Sequence, residues 1–199
     1  MTWPASASGG RVRHAAARVT SALLLCSIVG LGAGCSGDSG DEVDPKATQA
    51  AVQALVDRGA SELATGDLDA ATSTFDSVLE LDAGNAVAHY NLGLIAQQSG
   101  SLDSAITHYD AALDSDGDYG PALYNKAILL EGDDLEGAVE LYRETIDAQP
   151  AYAPAYMRLG FALDHLGRAD EAQRYLERGV QLDPEMAEVA IPDYEPAES

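Results

Sequence analysis

A pair of helical patterns, each about a dozen residues long, recurs along most of this chain. It is clearest at 86–119, where apolar residues return every three or four positions on both sides of a break at 99–101. The Ser-Gly-Ser sequence of that break interrupts a helix at little cost. Gly93, inside the first pattern, costs roughly 1 kcal/mol relative to alanine. A glycine there favours the close approach of a second helix, with Ala105 as the predicted contact, so this stretch predicts a tight antiparallel helix pair.

The same offsets of small and apolar residues return in other parts of the chain, and this repetition determines the predicted fold. They pair Gly59 with Ala71 and Phe75, Gly93 with Ala105 and Tyr109, and Gly160 with Ala172 and Leu176. Ala127 with Ala138 and Tyr142 fits as well if the turn at 132–134 is one residue shorter. The units are therefore 52–85, 86–119, 120–152 and 153–186, which gives a period of 34 residues with one unit of 33.

A helix pair repeating every 34 residues resembles the tetratricopeptide repeat. The resemblance rests on Tyr90-Asn91-Leu92-Gly93, on the A-x3-Y runs at 105–109 and 138–142, and on the unit endings at 149–150 and 182–184. The first unit departs most, with Arg58 in place of leucine and Ala83 in place of the closing proline. The resemblance implies an all-α, right-handed superhelical solenoid of four helix pairs over 45–191. A short capping helix over 184–191 is expected to cover its end.

In this family the first helix of each pair lines a concave groove that holds a peptide. Transferring the register predicts the peptide-binding residues Val56, Ala60, Tyr90, Asn91, Leu94, Tyr124, Asn125, Ile128, Met157 and Phe161. The apolar members form a continuous stripe, and an exposed stripe of that kind needs a reason. Asparagine carries both a donor and an acceptor for a ligand backbone. The alternative is that these residues pack between repeats or under the C-terminal tail.

The sequence offers little for catalysis, and no enzymatic activity, cofactor or metal site is predicted. His89, His108 and His165 lie in three different helical patterns, and none of their spacings is that of a metal motif. The run 114–120 has the aspartates of a calcium loop. It lacks glycine at Tyr119 and the bidentate glutamate at Asn125, so it is interpreted as a turn between repeats.

The start of the chain has the layout of a secretory signal, with basic residues, a short apolar run over 22–33 and small residues. The sequence 31–36, with Cys35 after small residues, resembles a bacterial lipoprotein signal, although Gly32 stands where leucine is usual. It implies a signal over 1–34, lipid attachment at Cys35 and a flexible acidic linker over 35–44. The chain would then be anchored by lipid on the extracytoplasmic side of a bacterial membrane. An ordinary secretory signal, an uncleaved anchor and a start codon further downstream are the alternatives.

Charge restricts the class of partner. After the predicted signal the chain carries 33 acidic and eight basic residues, a formal net charge of −25. Such a charge repels phosphate backbones, so nucleic acid is not an expected partner. The sequence predicts a scaffold, adaptor or assembly factor that binds a protein or peptide, followed by a disordered acidic tail over 192–199. The second hypothesis is an envelope scaffold that self-associates without a separate ligand.

Overall fold

Helix pairs make up the folded part of the chain. The computed structural model describes residues 45–192 and 194, so the predicted signal, Cys35, the linker and most of the predicted tail lie outside the described residues. Over the described range the helices are α1 (Pro45–Ala64), α2 (Leu68–Leu81), α3 (Ala86–Gln98), α4 (Leu102–Ser115), α5 (Gly120–Leu130), α6 (Leu135–Ala148), α7 (Ala153–His165) and α8 (Ala169–Leu182). The predicted all-α architecture of four helix pairs is confirmed.

Side-chain caps and glycine turns set several of the helix boundaries. Asp67, Asn85 and Asp134 each accept a hydrogen bond from a backbone N–H in the first turn of the helix that follows, which satisfies one of the free donors of a helix start. Gly66, Gly100 and Gly167 have positive φ in the turns within repeats 1, 2 and 4, where a side chain would be strained. The second helices therefore turn back along the first ones.

Repeat 3 is one residue shorter than repeat 2, but the prediction that its middle turn is the shorter part is wrong. The turn between its helices, 131–134, has four residues, whereas 99–101 in repeat 2 has three. The lost length comes from α5, which has 11 residues where α3 has 13. The first helix of the unit, rather than its turn, is shorter than in the neighbouring repeat.

The close approach predicted at Gly93 exists, but its partner is Tyr109 and not Ala105. A Cβ atom added at Gly93 would lie 2.5 Å from Cε1 of Tyr109, which is nearer than side chains approach each other. Gly59 stands in the same way against Phe75, and Gly160 against Leu176. In three repeats, therefore, a glycine makes room for a large side chain of the second helix.

Buried apolar residues of the described range form three clusters, and each cluster joins one repeat to the next. The first is centred on Phe75 of α2 and reaches α3, and the second is centred on Tyr109 of α4 and reaches α5. The third is centred on Tyr142 of α6 and includes buried residues of α5, α7 and α8 together with Tyr194. This arrangement explains why the helix pairs need their neighbours, because a single pair leaves one side of its apolar surface uncovered.

The C-terminal end differs from the prediction in two respects. The capping segment is a 3-10 helix over Pro184–Glu188, shorter than the predicted helix over 184–191, and Val189 and Ala190 lie beyond it. Tyr194 lies within the segment assigned to a disordered tail, yet only 7% of its surface is exposed, and it belongs to the third cluster. One aromatic side chain among acidic residues is enough to hold this position against the repeats.

Candidate peptide-binding groove

Aromatic pairs form the middle of the candidate groove. Tyr90 on α3 and Tyr124 on α5 are both half-buried. The ring of Tyr90 lies 5.4 Å from that of Tyr119, and the ring of Tyr124 lies 5.0 Å from that of Tyr152, both edge to face. This is the geometry that aromatic pairs prefer. Tyr119 and Tyr152 are not among the predicted groove residues, although both stand at the last position of a unit and so recur with the period.

A neutral hydrogen bond connects Tyr90 to the next repeat. Asn125 donates from Nδ2 to the hydroxyl of Tyr90 at 3.1 Å, and burial raises the pKa of that hydroxyl. Asn91 donates to the carbonyl of Val87 in its own helix at 2.7 Å. Both predicted asparagines are half-buried, and each already uses an amide donor within the protein. Each asparagine keeps its carbonyl oxygen and one N–H for a ligand.

A charged triad lies at the far end of α5. Glu131 is buried and accepts a hydrogen bond from the hydroxyl of Tyr142 at 2.6 Å. Its other oxygen accepts from Nη1 of Arg158 on α7 at 2.7 Å. Burial raises the pKa of the Glu131 carboxyl, while the bonds from Tyr142 and Arg158 act in the opposite direction. Arg158, a cation in line with the groove, therefore forms an ion pair that connects repeats 3 and 4.

A concavity lies over repeats 3 and 4. It is a pocket of about 210 Å³ lined by Tyr124, Pro154, Met157, Arg158, Phe161, Met186 and Val189. Phe161 is half-buried there, whereas Met157 is only 5% exposed and also packs against Gly179 of α8. Among the predicted groove residues, Tyr124, Met157 and Phe161 thus share one pocket with two residues of the C-terminal segment.

The remaining predicted residues form a less pronounced surface. Val56 is half-buried and packs against the cluster of Phe75, and Ala60 is exposed. Leu94 and Ile128 are half-buried, and Ile128 packs against the third cluster. Repeat 1 brings no aromatic side chain to this face among the predicted positions. The groove is therefore graded, from small residues at repeat 1 to aromatic ones at repeats 2 to 4.

Two further sites considered in the sequence have a plain structural description. The run 114–120 lies where α4 ends and α5 begins, and the N–H of Tyr119 donates to the carbonyl of Asp116 across the turn. His89 and His108, which are 19 positions apart, meet with their Nδ1 atoms 3.5 Å apart. Over residues 45–192 and 194 no group of three or more histidine, cysteine or acidic side chains is placed to hold a metal ion.

Family profiles of the tetratricopeptide repeat match residues 48–120 and 129–190. The chain carries tetratricopeptide repeats. Together the two matches include parts of all four helix pairs. Arg58 and Ala83, which depart from the family pattern in the first repeat, lie within the first matched range. Among curated protein sequences no significant match is found.

Solved structures share the repeat fold over most of the chain. A structure titled "Crystal structure of MamA" is 25% identical, with a TM-score of 0.60 over 72% of this chain and 85% of its own. A structure of pilF from Pseudomonas aeruginosa is 24% identical, with a TM-score of 0.64 over 71% of this chain and 66% of its own. A third, MamA from Desulfovibrio magneticus, is 21% identical with a TM-score of 0.56, over 67% of this chain and 76% of its own. These likenesses show the superhelical fold.

The described helices give no sign of crossing a bilayer themselves, since none of them is both long and apolar enough for a membrane span. Tetratricopeptide-repeat proteins are in general interaction modules rather than enzymes, so the fold indicates protein partners for this chain.

Proposed function

We propose that this tetratricopeptide-repeat protein binds an extended segment of a partner protein along the groove face of α3, α5 and α7. The observation that carries the proposal is the pocket over repeats 3 and 4, where Tyr124 and Phe161 present aromatic surface beside Arg158. Apolar pockets with a few convergent polar groups are typical binding sites. The tyrosine rings supply contact area, and the free amide oxygens of Asn91 and Asn125 are suited to accept backbone N–H groups of a bound segment.

The acidic surface supports a partner of low or positive charge. The 33 acidic residues against 11 basic ones give the whole chain a net charge of −22. Of the basic side chains, Arg58, Lys126, Arg143, Arg158 and Arg168 are paired with acids. A field of this sign accelerates the approach of a basic protein and disfavours an acidic one.

A photo-crosslinking amino acid at position 161 tests the groove with little change in size. The matched control carries it at Leu102, which is 48% exposed on α4, one of the second helices. We expect a partner to be captured in cells from position 161 and not from position 102. Equal capture from both positions, or none from 161, would contradict the groove. A crosslinked product of twice the chain mass would favour the self-associating scaffold instead.

The second part of the proposal is that lipid on Cys35 holds the chain on the extracytoplasmic face of a bacterial membrane. The support is the small-residue sequence that precedes this cysteine. Cys35→Ser is expected to move the protein from the membrane to the soluble fraction and to abolish incorporation of labelled palmitate. Cys26→Ser, in the apolar run before it, is the matched control and should change neither. Membrane association that survives Cys35→Ser would count against lipid attachment.

A further inference from the structure

The C-terminal segment follows the groove face of α7. Met186 and Val189 line the pocket together with Pro154 in the first turn of that helix. Further along, the ring of Tyr194 lies 5.1 Å from the ring of His165, the last residue of the helix. The segment therefore runs along α7 from its first turn to its last, on the face where the proposed function places a partner.

Among the described residues after the 3-10 helix, Tyr194 is the buried one. It is 7% exposed and shares a cluster with Ala127 and Leu159, against which Tyr124 and Phe161 also pack. Before it, Val189 is 43% exposed and Ile191 is 72% exposed. The segment is thus attached at its 3-10 helix and at one aromatic ring, with little burial between them. Such an attachment can be released without disturbing the repeats.

The seat of Tyr194, formed by the third cluster and His165, does not satisfy the hydroxyl of this tyrosine. It is buried and has no hydrogen-bond partner, and a buried hydroxyl without a partner opposes its own burial. The adjacent charges are already engaged, because Glu131 accepts from Tyr142 and from Arg158. The Tyr194 side chain is therefore held by packing and by its ring contact with His165, without a hydrogen bond.

We propose that the C-terminal segment is an intramolecular stand-in for the partner, and that a partner binds by placing its own aromatic side chain where Tyr194 lies. This inference rests on the proposed function and names the chemistry that the groove accepts, an extended segment with an aromatic anchor. A segment tethered in this way acts at an effective concentration in the millimolar range. A partner must compete with it, so the free groove binds more tightly than the closed one.

The chain itself supplies the probe, a synthetic peptide with the sequence of residues 189–199. It is titrated, to about 5 mM because of the effective concentration just given, into the full chain and into its Tyr194→Ala variant. We expect the variant to bind the peptide at least ten-fold more tightly than the unmodified chain does. The same peptide with alanine at its tyrosine should bind neither. Equal affinity for both chains, no binding to the variant, or binding of the alanine peptide would overturn the proposal.

A fluorescent reporter measures the seat without any partner. The chain has one tryptophan, Trp3, so Trp3→Phe combined with Tyr194→Trp places a single tryptophan in the seat. Its emission should be that of a buried ring and should shift to that of a solvent-exposed ring when the peptide is added. An exposed ring in the free chain would overturn the proposal. Circular dichroism on every variant verifies that the repeats remain folded.

The crosslinker at position 161 separates this proposal from the proposed function. If the partner is captured and Tyr194→Ala increases the yield several-fold, both stand. If capture is unchanged by Tyr194→Ala, the stand-in is wrong and the groove remains the binding site. If the peptide binds only the opened groove but no partner is captured in cells, the seat is real and the groove serves the chain's own terminus alone.

Discussion

Repeats 2 and 3 bury a tyrosine at the same place and satisfy its hydroxyl in different ways. Tyr109 donates to the amide oxygen of Gln97 at 2.7 Å, and Tyr142 donates to the carboxylate of Glu131 at 2.6 Å. The neutral pair is complete within its repeat. The charged pair also needs Arg158 from repeat 4, because a buried carboxylate without a cation is costly. The difference shows how one substitution in a repeat turns an internal contact into a connection with the next repeat.

The next repeat is adapted to each case. Asn125 follows repeat 2 at the position that Arg158 occupies after repeat 3, and it binds the hydroxyl of Tyr90 rather than Gln97. A neutral acceptor is thus followed by a neutral side chain, and a charged acceptor by a cation. Four changes test this comparison, and Gly93→Leu is expected to be the most destabilising.

Gly93→Leu tests the packing that both repeats share. We expect a loss of about 3 kcal/mol or more of unfolding free energy, because the added side chain overlaps the buried ring of Tyr109. Gln98→Leu, at an exposed position of the same helix, is the control and should change stability by less than about 0.5 kcal/mol. Denaturant unfolding measures both, and a neutral Gly93→Leu would refute the contact.

Arg158→Met breaks the charged connection between repeats 3 and 4. We expect a cost of roughly 2–3 kcal/mol at pH 7, because Glu131 stays buried without its cation. Loss of the arginine raises the pKa of Glu131 further. A folded-state pKa above the unfolded one gives stability that is lost as pH rises, so the deficit should shrink between pH 7 and pH 5.

The control for that deficit is Arg158→Met combined with Glu131→Gln. The double variant copies the neutral pair of repeat 2 and should recover most of the stability without pH dependence. The exposed Arg174→Met should have almost no effect. A deficit that is the same at both pH values would assign the role of Arg158 to packing rather than to charge.

Gln97→Glu places the carboxylate of repeat 3 into repeat 2, where no cation follows. We expect a loss of about 1–2 kcal/mol at pH 7, smaller at pH 5, because the new acid is half-buried and uncompensated. Adding Asn125→Arg should restore part of that loss. If the double variant is no better than the single one, position 125 does not reach the new carboxylate, and the proposed equivalence with Arg158 fails.

The histidine pair gives the smallest expected effect and is confined to repeat 2. His89 and His108 face each other, and the equivalent positions in repeat 3 hold Leu123 and Leu141. Burial and the charge of His89 lower the pKa of His108, against the opposite influence of Asp76. A lowered folded-state pKa makes the protein lose stability as pH falls below the usual histidine range.

Thermal melting between pH 7.5 and pH 5.5 measures that loss. The double variant His89→Leu/His108→Leu, which copies repeat 3, should flatten this part of the profile. His165→Leu, in repeat 4, is the control and should leave the slope of repeat 2 in place. A slope that persists in the double variant would mean that other groups cause it.

Periodicity predicted the helix pairs and their order because apolar spacing reports directly which face of a helix is buried. It chose the wrong partner for Gly93, since an offset identifies a face and not which side chain on it is long enough to reach across. Ala105 and Tyr109 share that face, and only the ring of Tyr109 fills the gap. The same limit applies to Asn91. The pattern predicted its amide beside the groove, but it could not show that the amide donates to the carbonyl of Val87 in its own helix.

The C-terminal end was the least predictable part. Tyr194 stands among prolines and acids, a composition that predicts disorder, and no periodicity accompanies it. Its burial depends on contacts with α5, α6 and α7, and the nearest of these residues in the sequence, His165, is 29 positions away. Likewise, nothing local to Glu131 shows that Arg158 will reach it. Single contacts between distant residues leave no pattern along the chain.

The division of the interior into three clusters has a mechanical consequence. A protein whose apolar contacts are shared only between neighbours can come apart from an end while the remainder stays intact. Gly59 is the one buried residue of α1, whereas α7 contributes eight buried residues and packs in the same cluster as Tyr194. Amide hydrogens of α1 should therefore exchange with solvent earliest and those of α7 last, because local unfolding begins at the N-terminal repeat and proceeds towards the C-terminal one.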